Sequence, residues 1–243
     1  MNKPLGNEIT SSDLMPKTEI NNWLDAMHLA SPALPIGGFA YSQGLEQAQA
    51  SGLVTDKTTA ATWIRDTLLL IIARQDLPWW LACFNAAQCG QWDDVLTVSR
   101  RLAALRETAE LRLESKQMAY SLVRLFEQWL PTEKMPAPEL LNQLNENYTA
   151  THAVLSGLRG LQDTSALTAY LWAWLENQVL AAVKIVPLGQ KDGQLLMHEL
   201  KPCISQAIEI ALATPLEQAG TASLGLSITS TLHESQYSRL FRS

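Results

Sequence analysis

Apolar residues recur three and four positions apart through nearly every patterned stretch of this 243-residue chain, and they do not sustain an alternating pattern. That spacing gathers them on one face of a helix, whereas a half-buried strand needs a period of two. From Val95 to Ala109 the stripe is Val95, Val98, Leu102, Leu105 and Ala109, and it resumes with Met118, Leu122, Leu125 and Trp129. Within 166–183 it runs through Leu167, Tyr170, Leu171, Trp174, Gln178, Val179 and Ala182. So wide an apolar face predicts a central helix with neighbours on several sides. Within 193–213 the stripe is Leu200, Ile204, Ile208 and Ala211, and Pro202 is expected to bend it or open a first turn.

Strand signals are weak. Lys184–Pro187 and Ser227–Thr231 are short and β-branched, but neither has an alternating partner nearby. Punctuation falls between the helical stretches, at Gly52, Gly90, Pro131–Pro138, Gly189–Gly193 and Thr214–Pro215. The expected fold is all-α, a single-domain multi-helix bundle of roughly eight to ten helices joined by short loops. No fixed-period repeat points to a solenoid. Pro131–Pro138 holds three prolines in eight residues, yet its flanks share one composition, so it reads as a loop inside one domain. Residues 1–18 are expected to be a flexible tail and 19–243 the domain.

Composition narrows the function classes. Apolar residues make up 47% of the chain and charged ones 17%, which excludes disorder as the dominant state. With 24 acidic and 18 basic residues, the latter scattered, there is no clustered basic face for phosphate, so nucleic acid is not an expected partner. Nor is a membrane, since the best apolar run, Thr67–Ala73, is far short of a span. The first 18 residues carry no hydrophobic signal core, and three cysteines suit packed thiols in a reducing compartment. A cytoplasmic protein is the expectation.

Three segments stand out. Ser31-Pro32-Ala33-Leu34-Pro35-Ile36-Gly37-Gly38-Phe39-Ala40-Tyr41-Ser42-Gln43-Gly44-Leu45-Glu46 has prolines to stop a helix and glycines for unusual dihedrals. Ser42 is placed to cap a new helix whose first turn carries Glu46. The segment lacks the Gly-Lys-Ser/Thr ending of a phosphate loop. Its residues alone favour a helix–helix turn; the functional reading is a shaped loop presenting Tyr41 and Gln43 to a partner. The second segment, Arg106 to Lys116, puts six charges in eleven residues read as helical, with Arg106 and Glu110 as an i,i+4 pair. It reads as a solvated face. The third, His233-Glu234-Ser235-Gln236-Tyr237-Ser238-Arg239-Leu240-Phe241-Arg242-Ser243, sets Tyr237, Leu240 and Phe241 on one face if helical. A binding anchor and a helix docked on its own core fit it equally.

Histidine and cysteine chemistry is thin. His198–Glu199 and His233–Glu234 do not extend to His-Glu-x-x-His, and Cys83 and Cys89 match no usual zinc spacing. No catalytic residue, cofactor site or metal site within one chain is expected. The competing class is an all-α metal-dependent enzyme using His198 with Glu199, or Glu107, Glu110 and Glu114. A further alternative is a generic helical adaptor.

The first and third segments together resemble the urease accessory protein UreF family, with Asp76-Leu77-Pro78, the Arg106–Glu114 run and Val183–Pro187 in matching order between them. The similarity spans about residues 23 to 243. It implies an all-α, non-catalytic scaffold that forms a homodimer and binds UreD (also called UreH) and then the nickel-carrying GTPase UreG. That assembly docks on apo-urease during nickel insertion, and the scaffold is expected to modulate GTP hydrolysis. Residues 228–243 are the expected partner-docking tail. The expected partner-binding residues are Tyr41, Gln43, Glu46, Lys184, His233, Glu234, Tyr237, Arg239, Leu240, Phe241 and Arg242. Arg239 and Arg242 suit bidentate pairing with partner carboxylates, while Lys184 is read first as capping the preceding helix. Two departures from the family pattern are Met118, where a small residue is common, and an unusually apolar, β-branched stretch at 223–232.

Overall fold

Pro16 opens the first helix of the computed structural model, which describes residues 16–221 and 223–243. The expected tail at 1–18 lies outside the described residues up to residue 15, while Lys17 and Thr18 already belong to helix α1 (Lys17–Leu29). After a proline- and glycine-rich loop come α2 (Leu45–Ala50) and α3 (Lys57–Asp66). The Asp56 and Thr59 side chains close a reciprocal cap on α3. From α3 the chain continues through a wider π-type turn at Thr67–Asp76 into α4 (Leu77–Gln88). Pro78 fits there because the first turn of a helix has no use for its missing N–H.

Next are α5 (Trp92–Ala104) and α6 (Ala109–Trp129). The apolar stripe crosses this boundary, yet the helix stops, because Thr108 turns extended and its hydroxyl accepts the Leu111 N–H as the N-cap of α6. Arg106 and Glu107 therefore sit in a connection, and the expected helical i,i+4 pair of Arg106 with Glu110 is not formed. The proline stretch is a loop leading to α7 (Pro138–Leu144), and α8 (Tyr148–Arg159) is capped by Asn147 and ended by Gly160 at φ +78°.

Helix α9 (Asp163–Ile185) is central: it packs against α1, α2, α3 and α8 as well as α10 (Gln190–Leu200). Gly193 permits the close approach of α10, since a Cβ there would lie 2.7 Å from Val183 Cγ2. Pro202 divides the next stretch, starting α11 (Pro202–Ala213) rather than bending one long helix. Ser227–Thr231 is not a strand but the middle of α12 (Leu224–Glu234), capped by Ser223. Tertiary packing overrides β-branching there: Thr229 and Ser230 are buried, the former against Gly44 and the latter on the Thr108 hydroxyl at 2.8 Å. The fold is all-α, with no strand among the described residues. One large core cluster includes residues from α1 through α11 and takes in Phe241.

Candidate functional site

The loop between α1 and α2 is fixed by backbone conformations few residues adopt. Gln43 and Gly44 are both left-handed, at φ +52° and +79°. For Gln43 this costs about 1–2 kcal/mol, and its side chain offsets the cost. Its Nε2 donates to Glu114 Oε1 at 2.6 Å, while its Oε1 accepts from Trp174 Nε1 at 2.7 Å. Gly44 is required for space as well as φ, because a Cβ would sit 2.9 Å from Thr229 Oγ1 on α12. Tyr41 is buried and donates from its hydroxyl to Gln117 Oε1 at 2.5 Å, and its carbonyl accepts from Asn177 Nδ2. Burial, reinforced by the nearby Glu114 carboxylate, raises its phenol above the ordinary range.

Against this loop lies the segment after α12, and it is not helical. Ser42 donates to the Ser243 carbonyl from its N–H at 2.8 Å and its hydroxyl at 2.6 Å, and the Arg242 N–H donates to the Ala40 carbonyl. The Ser42 oxygen also accepts the Glu46 N–H at 3.3 Å, but the N-cap of α2 is Gly44 rather than the expected Ser42, which lies two residues before it. Glu46 is buried at the head of α2 and accepts the N–H groups of Leu240 and Phe241 at 2.7 and 2.9 Å. His233, fully buried, places Nε2 3.2 Å from Glu46 Oε2 and Nδ1 2.7 Å from Glu110 Oε2. Glu110 receives Arg239 Nη1 on its other oxygen at 2.5 Å. Glu234 accepts the first N–H groups of α6, from Ala109 and Glu110, as an anion at a helix N-terminus does. Ser243 Oγ donates to Glu114 Oε2. The network thus spans α2, α6, α12 and the segment 235–243.

Beside it is a cavity of about 140 Å³ walled largely by apolar side chains, among them Ile36, Ile71, Met118 and Leu226. Met118 reaches within 3.5 Å of the place a Gly38 Cβ would occupy. The polar residues lining this cavity include Asp76, Arg106 and Glu114. Arg106 Nη2 donates to Asp76 Oδ2 at 2.9 Å and Thr149 Oγ1 at 3.0 Å. Burial pulls the guanidinium down, but Asp76, Tyr170 and Glu114 together outweigh it and hold Arg106 above its ordinary value. Burial raises the Glu114 carboxyl, against the opposing pull of its bonds from Ser243 and Gln43. Asp76 Oδ1 is buried with no hydrogen-bond partner among the described residues, so the cavity offers an acceptor to a donor or an ordered water.

The expected site residues fall into two sets. Tyr41, Gln43, Glu46, His233 and Phe241 are engaged inside the chain, and all but the half-buried Gln43 are buried. Glu234, Tyr237, Arg239, Leu240 and Arg242 are exposed, Tyr237 completely and Leu240 at 64%. Tyr237 and Leu240 do not share a helical face with Phe241, because α12 ends at Glu234 and Phe241 turns inward. Lys184 does not act as a cap; its ammonium lies 5.3 Å from the centre of the Phe241 ring. The Arg106–Lys116 run is not a solvated face, for Glu114 is buried and Glu110 is tied to His233 and Arg239. Glu107, Glu110 and Glu114 diverge, to Ser227, to His233 and to Gln43, and His198 is exposed on α10. Among the described residues no group of three acidic, histidine or cysteine side chains is disposed to hold a metal. Sequence reading missed the Asp76–Arg106 pair, Trp174, Gln117 and Asn177, whose partners are too distant along the chain for local spacing to reveal. Among the described residues no helix is long and apolar enough to cross a membrane.

Fold and site together define an all-α bundle in which a buried polar network holds a non-helical segment on its surface. A family model described as UreF matches residues 54–201, the stretch between the two conspicuous motifs. The chain is 46% identical over 218 residues to the urease accessory protein UreF of Pseudomonas savastanoi pv. phaseolicola, covering 89% of this chain and 97% of that one. It is 44% identical over 225 residues to UreF of Azotobacter vinelandii and 41% over 224 to UreF of Nitrosococcus oceani, covering 92% of this chain and all of each relative. The chain belongs to the UreF family.

Proposed function

We propose that this protein acts in urease maturation as a non-catalytic, cytoplasmic, homodimeric scaffold. It bridges UreD (UreH) and the GTPase UreG during insertion of nickel into apo-urease, and modulates GTP hydrolysis by UreG. The observation that carries the reading is the segment 235–243. Glu46, Glu110, His233 and Ser42 hold it in one non-helical shape. Tyr237, Arg239, Leu240 and Arg242 remain at the surface. Ordering such a segment beforehand lowers the entropy cost of docking, and Tyr and Arg are the side chains that most often dominate interfaces. Lys184, beside Phe241 and itself exposed, belongs to the same proposed surface. The names of the relatives, urease accessory proteins, support the place in urease maturation.

The test is co-purification of the tagged chain with UreD and UreG from its own operon, beside a version ending at Ser227 and an Arg239→Ala variant. The scaffold reading expects the full chain to retain both partners, the truncated chain to lose them and Arg239→Ala to hold them more weakly. A full chain that folds as a dimer and retains neither partner overturns it. Arg239→Ala that assembles normally removes Arg239 from the surface.

A further inference from the structure

A count of protons around His233 does not balance for a neutral ring. The Nδ1 contact with Glu110 Oε2 and the Nε2 contact with Glu46 Oε2 each need a hydrogen between nitrogen and oxygen. An ionised carboxylate supplies none and a neutral imidazole supplies one. The closed arrangement therefore holds one proton more than a neutral histidine and two carboxylates carry. The ring is fully buried, so bulk water does not reach it. Without that proton a nitrogen lone pair faces a carboxylate oxygen in a site of low dielectric.

We propose that Glu46, His233 and Glu110 form a proton-operated latch on the segment 235–243, closed with the extra proton bound and loosened when it leaves. The Nε2 contact to Glu46 is the longer, at 3.2 Å against 2.7 Å to Glu110, so Glu46 is the carboxylate that parts from the ring. Glu46 is also the acceptor of the Leu240 and Phe241 amides, which places the opening at those residues. Other charges face the cluster from each neighbouring element. Glu234 of α12 sits on the α6 N-terminus, Arg239 pairs with Glu110, Glu114 of α6 takes the Ser243 hydroxyl, Lys184 of α9 covers Phe241, and Arg242 adjoins Tyr41. Arg239 remains with Glu110 when the proton leaves, so the segment stays tethered while its hold on Glu46 fails.

The consequence for partners rests on the docking reading above: proton loss frees Leu240 and its neighbours from the shape in which they are presented. The latch itself is tested without partners, by amide hydrogen exchange on the isolated full chain between about pH 5.5 and about pH 8.5. After correction for intrinsic exchange, protection of Leu240 and Phe241 is expected to fall about tenfold or more across a one-proton transition. Protection in α9 should not follow it. His233→Gln should remove the transition. Glu46→Gln should remove it at Leu240, because an amide nitrogen in place of Oε2 can donate to a neutral ring while its oxygen still accepts the Leu240 N–H. The Phe241 N–H loses its acceptor in this variant, so Leu240 is the reporter. The second variant keeps the test intact if the first folds poorly. Uniform protection across the range overturns the latch, as does a transition that survives in both variants. A transition with no partner capture at either pH leaves the latch standing and removes the docking role.

Discussion

His152 on α8 gives a prediction whose size follows from its surroundings. It is buried beside Trp80, Tyr148 and Tyr170, with Trp80 Nε1 donating to its Nδ1 at 3.2 Å. The Nδ1 atom is thus the acceptor, and Nε2 carries the hydrogen with no partner among the described residues. A second proton would have to enter at Nδ1, which already takes the Trp80 N–H and lies 3.3 Å from the Ser156 hydroxyl, in a buried site walled by aromatic rings. Burial accordingly lowers the imidazole to about 3. The unfolded chain takes that proton near pH 6.5 and the folded chain does not, so the ring makes stability depend on pH only below about that value. Below it, stability falls by about 1.4 kcal/mol per pH unit until the folded ring also titrates. Between pH 7.5 and 4.5 the loss amounts to about 2.7 kcal/mol. His152→Gln keeps an acceptor for Trp80 and removes the titration. Urea denaturation at both pH values is the assay. The variant should be less stable at pH 7.5, and its deficit should shrink by about 2.7 kcal/mol at pH 4.5. Equal deficits at the two pH values would refute the account of a buried, uncharged ring.

Three further outcomes are expected. Arg106→Ala leaves the Asp76 carboxylate buried and unpaired, so urea denaturation should show a loss of about 3–5 kcal/mol, against a much smaller loss for exposed Lys116→Ala. Gly44→Ala meets both a positive φ and the Thr229 hydroxyl, and should lower stability by more than about 1 kcal/mol in the same assay. Thr108→Ala removes the α6 cap and strands the Ser230 hydroxyl, for a loss of about 1–2 kcal/mol, with the difference visible as faster amide exchange in the first turn of α6.

Much of the architecture is legible in periodicity. The stripe through Leu167, Leu171 and Val179 marks the central helix because a helix surrounded by others must be apolar over most of its girth. Pro202 and the Pro131–Pro138 stretch punctuate the fold for covalent reasons that no packing cancels. The failures have a different cause. The stripe from Val95 onward is carried past a real break, since apolar spacing persists across the Thr108 cap while the backbone turns. Ser227–Thr231 suggests a strand by propensity and forms α12, where Gly44 and Thr108 provide the contacts that decide it. The site is legible as segments and not as a network. Glu46, Glu110, His233 and Arg239 stand out as charged or polar residues at unusual places, but their pairings join positions 123 to 195 apart in the chain. The buried state of Glu114 has no local signature, because a carboxylate on a helix reads as solvated until Gln43 and Ser243 are found on it.

The central claim, that the surface around Tyr237 and Leu240 docks the urease-maturation partners, is tested most directly by the mass of the assembly. The chain is mixed with purified UreD and then UreG, beside a Tyr237→Ala, Leu240→Ala double variant whose side-chain losses lie at the surface. The account predicts a complex containing all three proteins for the natural chain. It predicts a variant that melts at the same temperature yet runs free of both partners. A variant that enters the complex as readily as the natural chain would contradict it.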